Sequence, residues 1–389
     1  MGATAADGRT RPMRVLVLID GFRLGGAETL LIPFAGAARE AGVEVDLMSV
    51  SPMEVAAPGV LEQYRAAGLT VRSAGIGRLL DPCAIPRLVG VIRAGGYDVV
   101  HAHLAMAITL AVPAARLAGR SVVTTFHTLA PELTGRDRVR ERLAVRTATR
   151  SDAVLFASRA SLDSYADFHF SGHAPGNWRV VHNGIDVSGY RPGPADPAVR
   201  AELAGGRDGF LAVLPAAFRA QKGIPDAIAA WARVTAVHPD AVLALVGGGD
   251  EEPALRAAVR EHGLEDSVVF AGVRTDMAAV YRAADVVVLP SLVENLPTVL
   301  IEAGAAARPV VATTVGGIGE IVDDGVTGLL CPPGAPQAMA WQLMRLAGEP
   351  RLREEMGAAA ADRIRAEFSA EAWVGRLLAV YRSAQGVAA

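Results

Sequence analysis

Lysine is almost missing from this 389-residue chain: among its 38 Lys and Arg residues, only Lys222 is lysine. Arginine serves as well as lysine where a charge need only meet water. It serves poorly where a compact ammonium must meet an oxyanion. The one lysine is therefore either an accident of a biased composition or a requirement, and composition alone favours neither. Cysteine is scarce as well. Cys83 and Cys331 have no CxxC or zinc spacing, which excludes a Cys-rich metal module and fits reduced thiols in a cytoplasmic protein. No apolar run approaches the roughly 18 residues of a membrane span. The net charge of −3 gives no global basic field, so nucleic acid is not an expected partner. Residues 1–12 lack an apolar signal core and read as a disordered tail. The chain begins Met-Gly, but Ala6 stands where N-terminal acylation needs a hydroxyl. No P-loop occurs, and no Asp-x-Asp suggests a diphosphate held through a metal.

What is present is a repeated alternation. Apolar strand-like runs at 15–19, 45–49, 99–103, 122–126, 153–157 and 180–182 are separated by helical patterns such as 28–40, 86–93 and 138–150. A second series follows at 211–214, 242–246, 268–271, 286–289 and 310–312, with helices at 225–237, 252–262 and 298–306 between them. Repeated βα units build parallel sheets covered on both faces. A chain this long exceeds one core. The expected fold is α/β, two doubly wound Rossmann-like domains facing a cleft. Residues 13–190 form the N-terminal domain and 191–369 the C-terminal one. The boundary is marked by a Pro- and Gly-rich stretch near 187–197. The amphipathic segment at 370–389, with Trp373, Leu377, Leu378 and Tyr381 on one face, is expected to pack back on the first domain.

Doubly wound sheets bind ligands outside the carboxyl ends of their strands, so residues just after strands are the candidates. The most informative segment is 289–303. It reads as a strand end, a loop carrying Glu294, Pro297 near helix position N1, and a helix with Glu302 in its second turn, on the face of Thr298. Two carboxylates then flank a helix start whose free amides favour an anion. Such a pair suits sugar hydroxyls beside a phosphate. The alternative is a loop-capping Glu294 and a solvated Glu302. The apolar company of Glu302 argues against it, because unpaired acids are rare there.

This segment resembles the E-x7-E element of the family 4 retaining glycosyltransferases, which have the two-domain GT-B fold. Seven further segments resemble that family in order: Gly25-Gly26-Ala27-Glu28, Phe126-His127-Thr128, His182-Asn183-Gly184-Ile185-Asp186, Gln221-Lys222-Gly223, Val246-Gly247-Gly248-Gly249, Phe270-Ala271-Gly272 and Val315-Gly316-Gly317-Ile318-Gly319-Glu320. The resemblance covers nearly the whole chain and implies roles. Lys222 would neutralise the donor diphosphate, Glu302 bind the ribose, and Glu294 contact the donor sugar with the amides of Asn295 and Leu296 nearby. His127 would line the sugar pocket. Gly25 and Gly26 would let backbone approach the phosphates or sugar, and Arg219, Gly248, Gly272 and Thr298 would complete the donor site. Lys222, Glu294 and His127 would be the catalytic set.

The implied activity is retaining, metal-independent transfer from a nucleotide-sugar, UDP-linked by expectation, to an acceptor in bacterial glycan, glycolipid or specialised-metabolite synthesis. No cofactor is implied. A nucleotide-sugar epimerase or a silent sugar-nucleotide-binding protein are the alternatives. The chain departs from the family at Ala217, where an Arg usually stands, leaving Arg219 as a substitute, and at Gly319, where Pro is usual.

Two other features have bland readings. His101-Ala102-His103 ends a strand, and alternate residues there are expected to face opposite ways, so strand-end packing is favoured over metal. Arg136, Arg138, Arg140, Arg142, Arg146 and Arg150 form a basic helix interrupted by Asp137 and Glu141, with no bulky apolar face expected beside it. A solvated helix is the simpler reading. Peripheral contact with anionic lipid at the inner face of the membrane is the other.

Overall fold

The computed structural model describes residues 11–23, 25–131 and 133–386. Most of the expected tail, and the last three residues of the expected final helix, lie outside these. Arg11 is described, and its guanidinium pairs with Asp98 at 2.5 Å.

Seven parallel strands form the first sheet: Met13–Ile19 (β1), Val43–Ser49 (β2), Val71–Ser73 (β3), Val99–His103 (β4), Ser121–Phe126 (β5), Ala153–Phe156 (β6) and Trp178–Val180 (β7), in the order β3-β2-β1-β4-β5-β6-β7. Six form the second: Leu211–Pro215 (β8), Val242–Val246 (β9), Val268–Gly272 (β10), Val286–Leu289 (β11), Val310–Thr313 (β12) and Gly328–Cys331 (β13), in the order β10-β9-β8-β11-β12-β13. Every residue of β4, β6, β8, β9, β11 and β12 is buried, which is why these strands read as unbroken apolar runs rather than alternating ones. Strand order reverses between β1 and β4 and again between β8 and β11. The two crevices of the fold therefore open beyond β1/β4 and β8/β11.

Three details differ from the sequence reading. The strand expected at 180–182 is Trp178–Val180, because Trp178 packs under Phe156 (ring centroids 4.6 Å apart) while His182 turns out of the sheet. The short strands β3 and β13 end their sheets, and neither carries a long enough apolar run to announce itself. Pro297 is the N-cap of the helix Thr298–Ala305 rather than its first helical residue.

The chain crosses between domains twice, and the crossings pair. Ile185 N–H donates to Phe368 O at 3.0 Å, and Ala370 N–H donates to Ile185 O at 2.8 Å. The final helix, Ala370–Ala384, then lies against the first domain, with Trp373 beside Phe34 at a ring distance of 5.4 Å. Its buried Trp373, Val374, Leu377 and Tyr381 join a core that runs from Val15 and Val17 of the first sheet to Leu300 and Ile301 of the second domain. Continuous apolar packing around paired crossings holds the two crevices facing each other.

Candidate active site

The loops after β8 and β11 meet at the second switch point. Leu292 N–H donates to Gln221 O at 2.8 Å. Gly223 has φ 61°, and a Cβ there would strike the Pro290 carbonyl, so only glycine lets the Lys222 loop lie this close. The result places Lys222 Nζ 2.5 Å from Glu294 Oε1. The same oxygen accepts from Ser291 Oγ at 2.7 Å, and Thr313 Oγ1 donates to Ser291 O at 2.6 Å. Both members of the ion pair are largely buried, with side chains 20% and 10% exposed. An ammonium has three donors, so Lys222 can hold Glu294 and still offer protons to an oxyanion.

Neighbouring loops are stitched to this pair. Phe218 N–H donates to Gly248 O at 2.9 Å and Gly247 N–H to Gly272 O at 2.8 Å, which brings Gly248 and Gly272 to the ends of adjacent strands in the same crevice. Gly316 belongs to a turn (φ 55°) so close that an added Cβ would run into the Glu294 carbonyl. Arg219 is exposed, and among the described residues its side chain makes no ion pair or hydrogen bond; Ala217 is also exposed.

Thr298 opens the helix Thr298–Ala305 and Glu302 follows one turn later. Tyr281 Oη donates to Glu302 Oε2 at 2.7 Å. Burial raises the Glu302 carboxyl above its ordinary range, and the hydroxyls of Tyr281 and Tyr190 oppose that rise. Thr298, Glu302 and Tyr190 line a cavity of about 570 Å³ whose other wall is the helix Gly26–Glu40 of the first domain, including Thr29 and Pro33.

In the first domain, Gly25 caps that helix, and the Glu28 carboxylate folds back to within 2.6 Å of where a Gly25 Cβ would stand. Gly26 has open space beside it. Asp20, at the end of β1, accepts from Ala107 N–H at 2.6 Å and Met106 N–H at 3.2 Å. Burial pushes its carboxyl up to about 6, against the pull of those amides.

His101 and His103 share one face of β4, with ring centroids 4.1 Å apart, contrary to the expectation that they face opposite ways. Residues two apart on a strand lie on the same side. His101 is hydrogen-bonded to Tyr381 Oη and Thr125 Oγ1, both at 2.7 Å, and His103 Nδ1 lies 2.8 Å from His127 Nε2. Burial keeps all three neutral, pushing His101 down to about 3, His127 to about 4 and His103 well below its usual value. Among the described residues no three His, Cys, Asp or Glu side chains are placed to hold a metal ion.

Sequence reasoning missed the contacts that join the domains. Asn295, expected to serve through its backbone amide, uses its side chain across the cleft. Its Nδ2 donates to His127 O at 2.6 Å, and its Oδ1 accepts from Ser158 Oγ at 2.5 Å. Glu320 accepts from Arg159 N–H at 2.8 Å, Ala160 N–H at 3.2 Å and His182 Nε2 at 2.8 Å. Burial works to raise the Glu320 carboxyl, but the His182 bond and the two amides at the start of the helix Arg159–Phe170 outweigh it and hold it below its ordinary range. Leu296 is half-buried and packs against the apolar core.

The arginine helix, Gly135–Ala148, also departs from expectation. Val139 and Leu143 are exposed on it, 66% and 43%, and Phe168 (43% exposed) lies beneath the guanidinium of Arg138 at 5.8 Å. A modest apolar patch therefore does accompany the charges. No helix among the described residues is long and apolar enough to cross a membrane.

Known proteins are similar to this chain over most of its length. Residues 24–188 match the model for Glycosyltransferase Family 4 and residues 209–349 that for Glycosyl transferases group 1. The D-inositol 3-phosphate glycosyltransferase of Thermobifida fusca is 31% identical over 92% of this chain and 89% of its own length. The glycogen synthase of Mycobacterium tuberculosis is 27% identical over 76% of this chain and 71% of its own. Among solved structures, Anabaena HepE in complex with UDP superposes with a TM-score of 0.80, at 24% identity, over 95% of this chain and all of that one (100%).

Proposed function

This chain belongs to glycosyltransferase family 4 and is a sugar-transferring enzyme with the GT-B fold, and from that premise we propose that it moves a sugar from a UDP-sugar to an acceptor hydroxyl, with retention and without a metal. The observation that carries this reading is the Lys222–Glu294 pair at the β8/β11 switch point. It sets a compact cation beside a fixed carboxylate where this fold binds ligands.

In this reading the sugar's C1–O bond to the diphosphate breaks as the acceptor oxygen bonds C1 from the same face. The acceptor proton passes to the departing phosphate oxygen. Negative charge grows on the leaving group, where the Lys222 ammonium meets it, with Thr298 at the helix start nearby. Preplaced charge of this kind is typically worth about 10²–10³ in rate per donor lost. Glu294 orients the sugar, Glu302 the ribose, and His127 faces the sugar from the first domain. Gly25, Gly26, Gly248 and Gly272 supply close backbone, and the exposed Arg219, which makes no side-chain hydrogen bond or ion pair among the described residues, is available to the phosphates. The relatives named above act on different acceptors, so the acceptor is assigned only as a hydroxyl of a small molecule, glycan or lipid-linked sugar. The exposed Val139 and Leu143 among arginines support a peripheral contact with anionic lipid through Arg136–Arg150. Vesicles rich in anionic lipid should then retain the protein where neutral ones do not.

The direct test is a thermal-shift panel of uridine, guanosine, adenosine and thymidine diphosphate sugars followed by product analysis. A UDP-sugar at a hundredfold excess over Kd should stabilise by roughly 2.7 kcal/mol, and the product should keep the donor's anomeric configuration. Stabilisation by none of the four, or an inverted product, overturns the reading.

A further inference from the structure

Glu302 is flanked by two tyrosines from different parts of the chain. Tyr281, on the helix Met277–Ala283, is wholly buried behind the carboxylate and donates to its Oε2 at 2.7 Å. Tyr190 ends the short turn Val187–Tyr190 in the linker between the domains. Its ring stands 5.9 Å from that of Tyr281, inclined at 59°, and its hydroxyl faces the same carboxylate. Unlike Tyr281, Tyr190 is partly exposed, and it lines the cavity of about 570 Å³ together with Glu302 and Thr298. The linker that carries it is fixed from the second domain crossing. Ile185 is hydrogen-bonded to Phe368 and Ala370, a Cβ on Gly184 would strike the Ser369 carbonyl, and Asp186 accepts from Ser188 N–H at 2.8 Å.

A carboxylate offers about four lone-pair sites and, ionised, donates nothing. Tyr281 occupies one of these from the buried side. A glutamate has three rotatable bonds, and a contact on one oxygen leaves it free to swing. A phenol on the cavity side limits that swing and leaves the remaining lone pairs facing the cavity. The Tyr190 hydroxyl is pushed above its ordinary range, by burial first and then by the charges of Glu302 and Asp186, so it keeps its proton. Among the described residues no Lys, Arg or His lines this cavity, and its other ionisable lining groups, Glu40, Asp186 and Glu371, are acids. A phosphate is therefore unwelcome at this end. A ligand group that meets Glu302 here must bring its own donors, as the adjacent hydroxyls of a ribose do. A deoxyribose brings one fewer and leaves a largely buried carboxylate short of a bond.

We propose that Tyr190 is a positioning residue that holds Glu302 turned toward the donor's ribose and thereby sets a preference for ribose over deoxyribose nucleotides. This rests on the reading above that Glu302 takes the ribose. It gives the interdomain linker a part in donor selection, through a side chain outside the E-x7-E segment.

The test is calorimetric titration of wild type and Tyr190→Phe with UDP, 2′-deoxy-UDP and 3′-deoxy-UDP. Phenylalanine keeps the ring beside Tyr281 and removes only the hydroxyl. Wild type should bind at least one deoxy nucleotide on the order of 10–100-fold more weakly than UDP, the scale of a hydrogen bond to a charged group. Tyr190→Phe should bind UDP about two- to tenfold more weakly and bind the rejected deoxy nucleotide as wild type does, so that the discrimination shrinks. An unchanged affinity for UDP, or an equal loss for all three nucleotides, overturns the proposal, since a merely structural role weakens them alike. Wild type that binds both deoxy nucleotides as tightly as UDP would instead remove the reading of Glu302 itself, whatever Tyr190→Phe does.

Discussion

Lys222 Nζ and Glu294 Oε1 are 2.5 Å apart, and the loops that carry them follow the two strands between which the second sheet reverses its order. The only lysine of the chain is thus paired with the first acid of the E-x7-E segment. The pairing holds both side chains in place, so little ordering is left to pay when a diphosphate enters.

Lys222→Ala should lower kcat by about 10²–10³ with the fold intact. Lys222→Arg should recover little of it. The ammonium sits between Glu294 and a loop closed down by Gly223, and the broader planar guanidinium needs room that loop does not have. Steady-state rates of both variants check this. Near-normal turnover by Lys222→Arg would mean that any cation suffices there.

Tyr281→Phe removes the hydroxyl 2.7 Å from Glu302 and leaves a buried carboxylate short of a donor. Stability should fall by about 1–3 kcal/mol. The donor KM should rise several-fold while kcat changes little, because Glu302 is assigned to ribose, which does not react. Urea melts and donor titrations separate the two effects.

Gly316→Ala should inactivate the enzyme more than it unfolds it. The residue has φ 55°, and the new methyl would press on the Glu294 carbonyl, displacing the loop that aims the carboxylate. A variant with full donor turnover would show that the loop has slack.

Acid should weaken the fold before it titrates most carboxylates. His101 and His127 titrate near 3 and 4 when folded and near 6.5 when unfolded, so unfolding takes up protons. Their stability is fully present above pH 6.5 and is lost as pH falls toward those values. By pH 5 each should have lost about 2 kcal/mol. Asp20 runs the other way, since its folded value of about 6 exceeds the unfolded 3.8, and it returns about 1 kcal/mol over the same interval. The net slope favours the histidines. Denaturant melts between pH 7.5 and 5 should show it, and His101→Gln should flatten it.

Glu320→Gln should loosen the join between domains. It weakens charge-assisted bonds to two helix amides and His182. Small-angle scattering should show a larger radius of gyration than wild type, and the donor KM should rise. An unchanged radius would place the grip with Asn295, the paired crossings and the shared apolar core.

The sequence by itself determined the βα alternation, the two-domain plan, the return of the last helix and the E-x7-E segment. Each is written in local periodicity or in residues adjacent along the chain. Buried parallel strands cannot avoid reading as apolar runs, and Trp373, Leu377 and Tyr381 mark a buried face wherever the helix lands. Only the tertiary structure decided that Lys222 and Glu294, 72 residues apart, share a proton contact, and that Asn295 reaches His127 across 168. It also decided that Tyr281 holds Glu302 and that His103 faces His127, not away from it. These depend on which strands become neighbours at the two switch points, and strand order is set by packing between distant segments. No local pattern carries that information, because a side chain's partner is fixed by where the sheet places it.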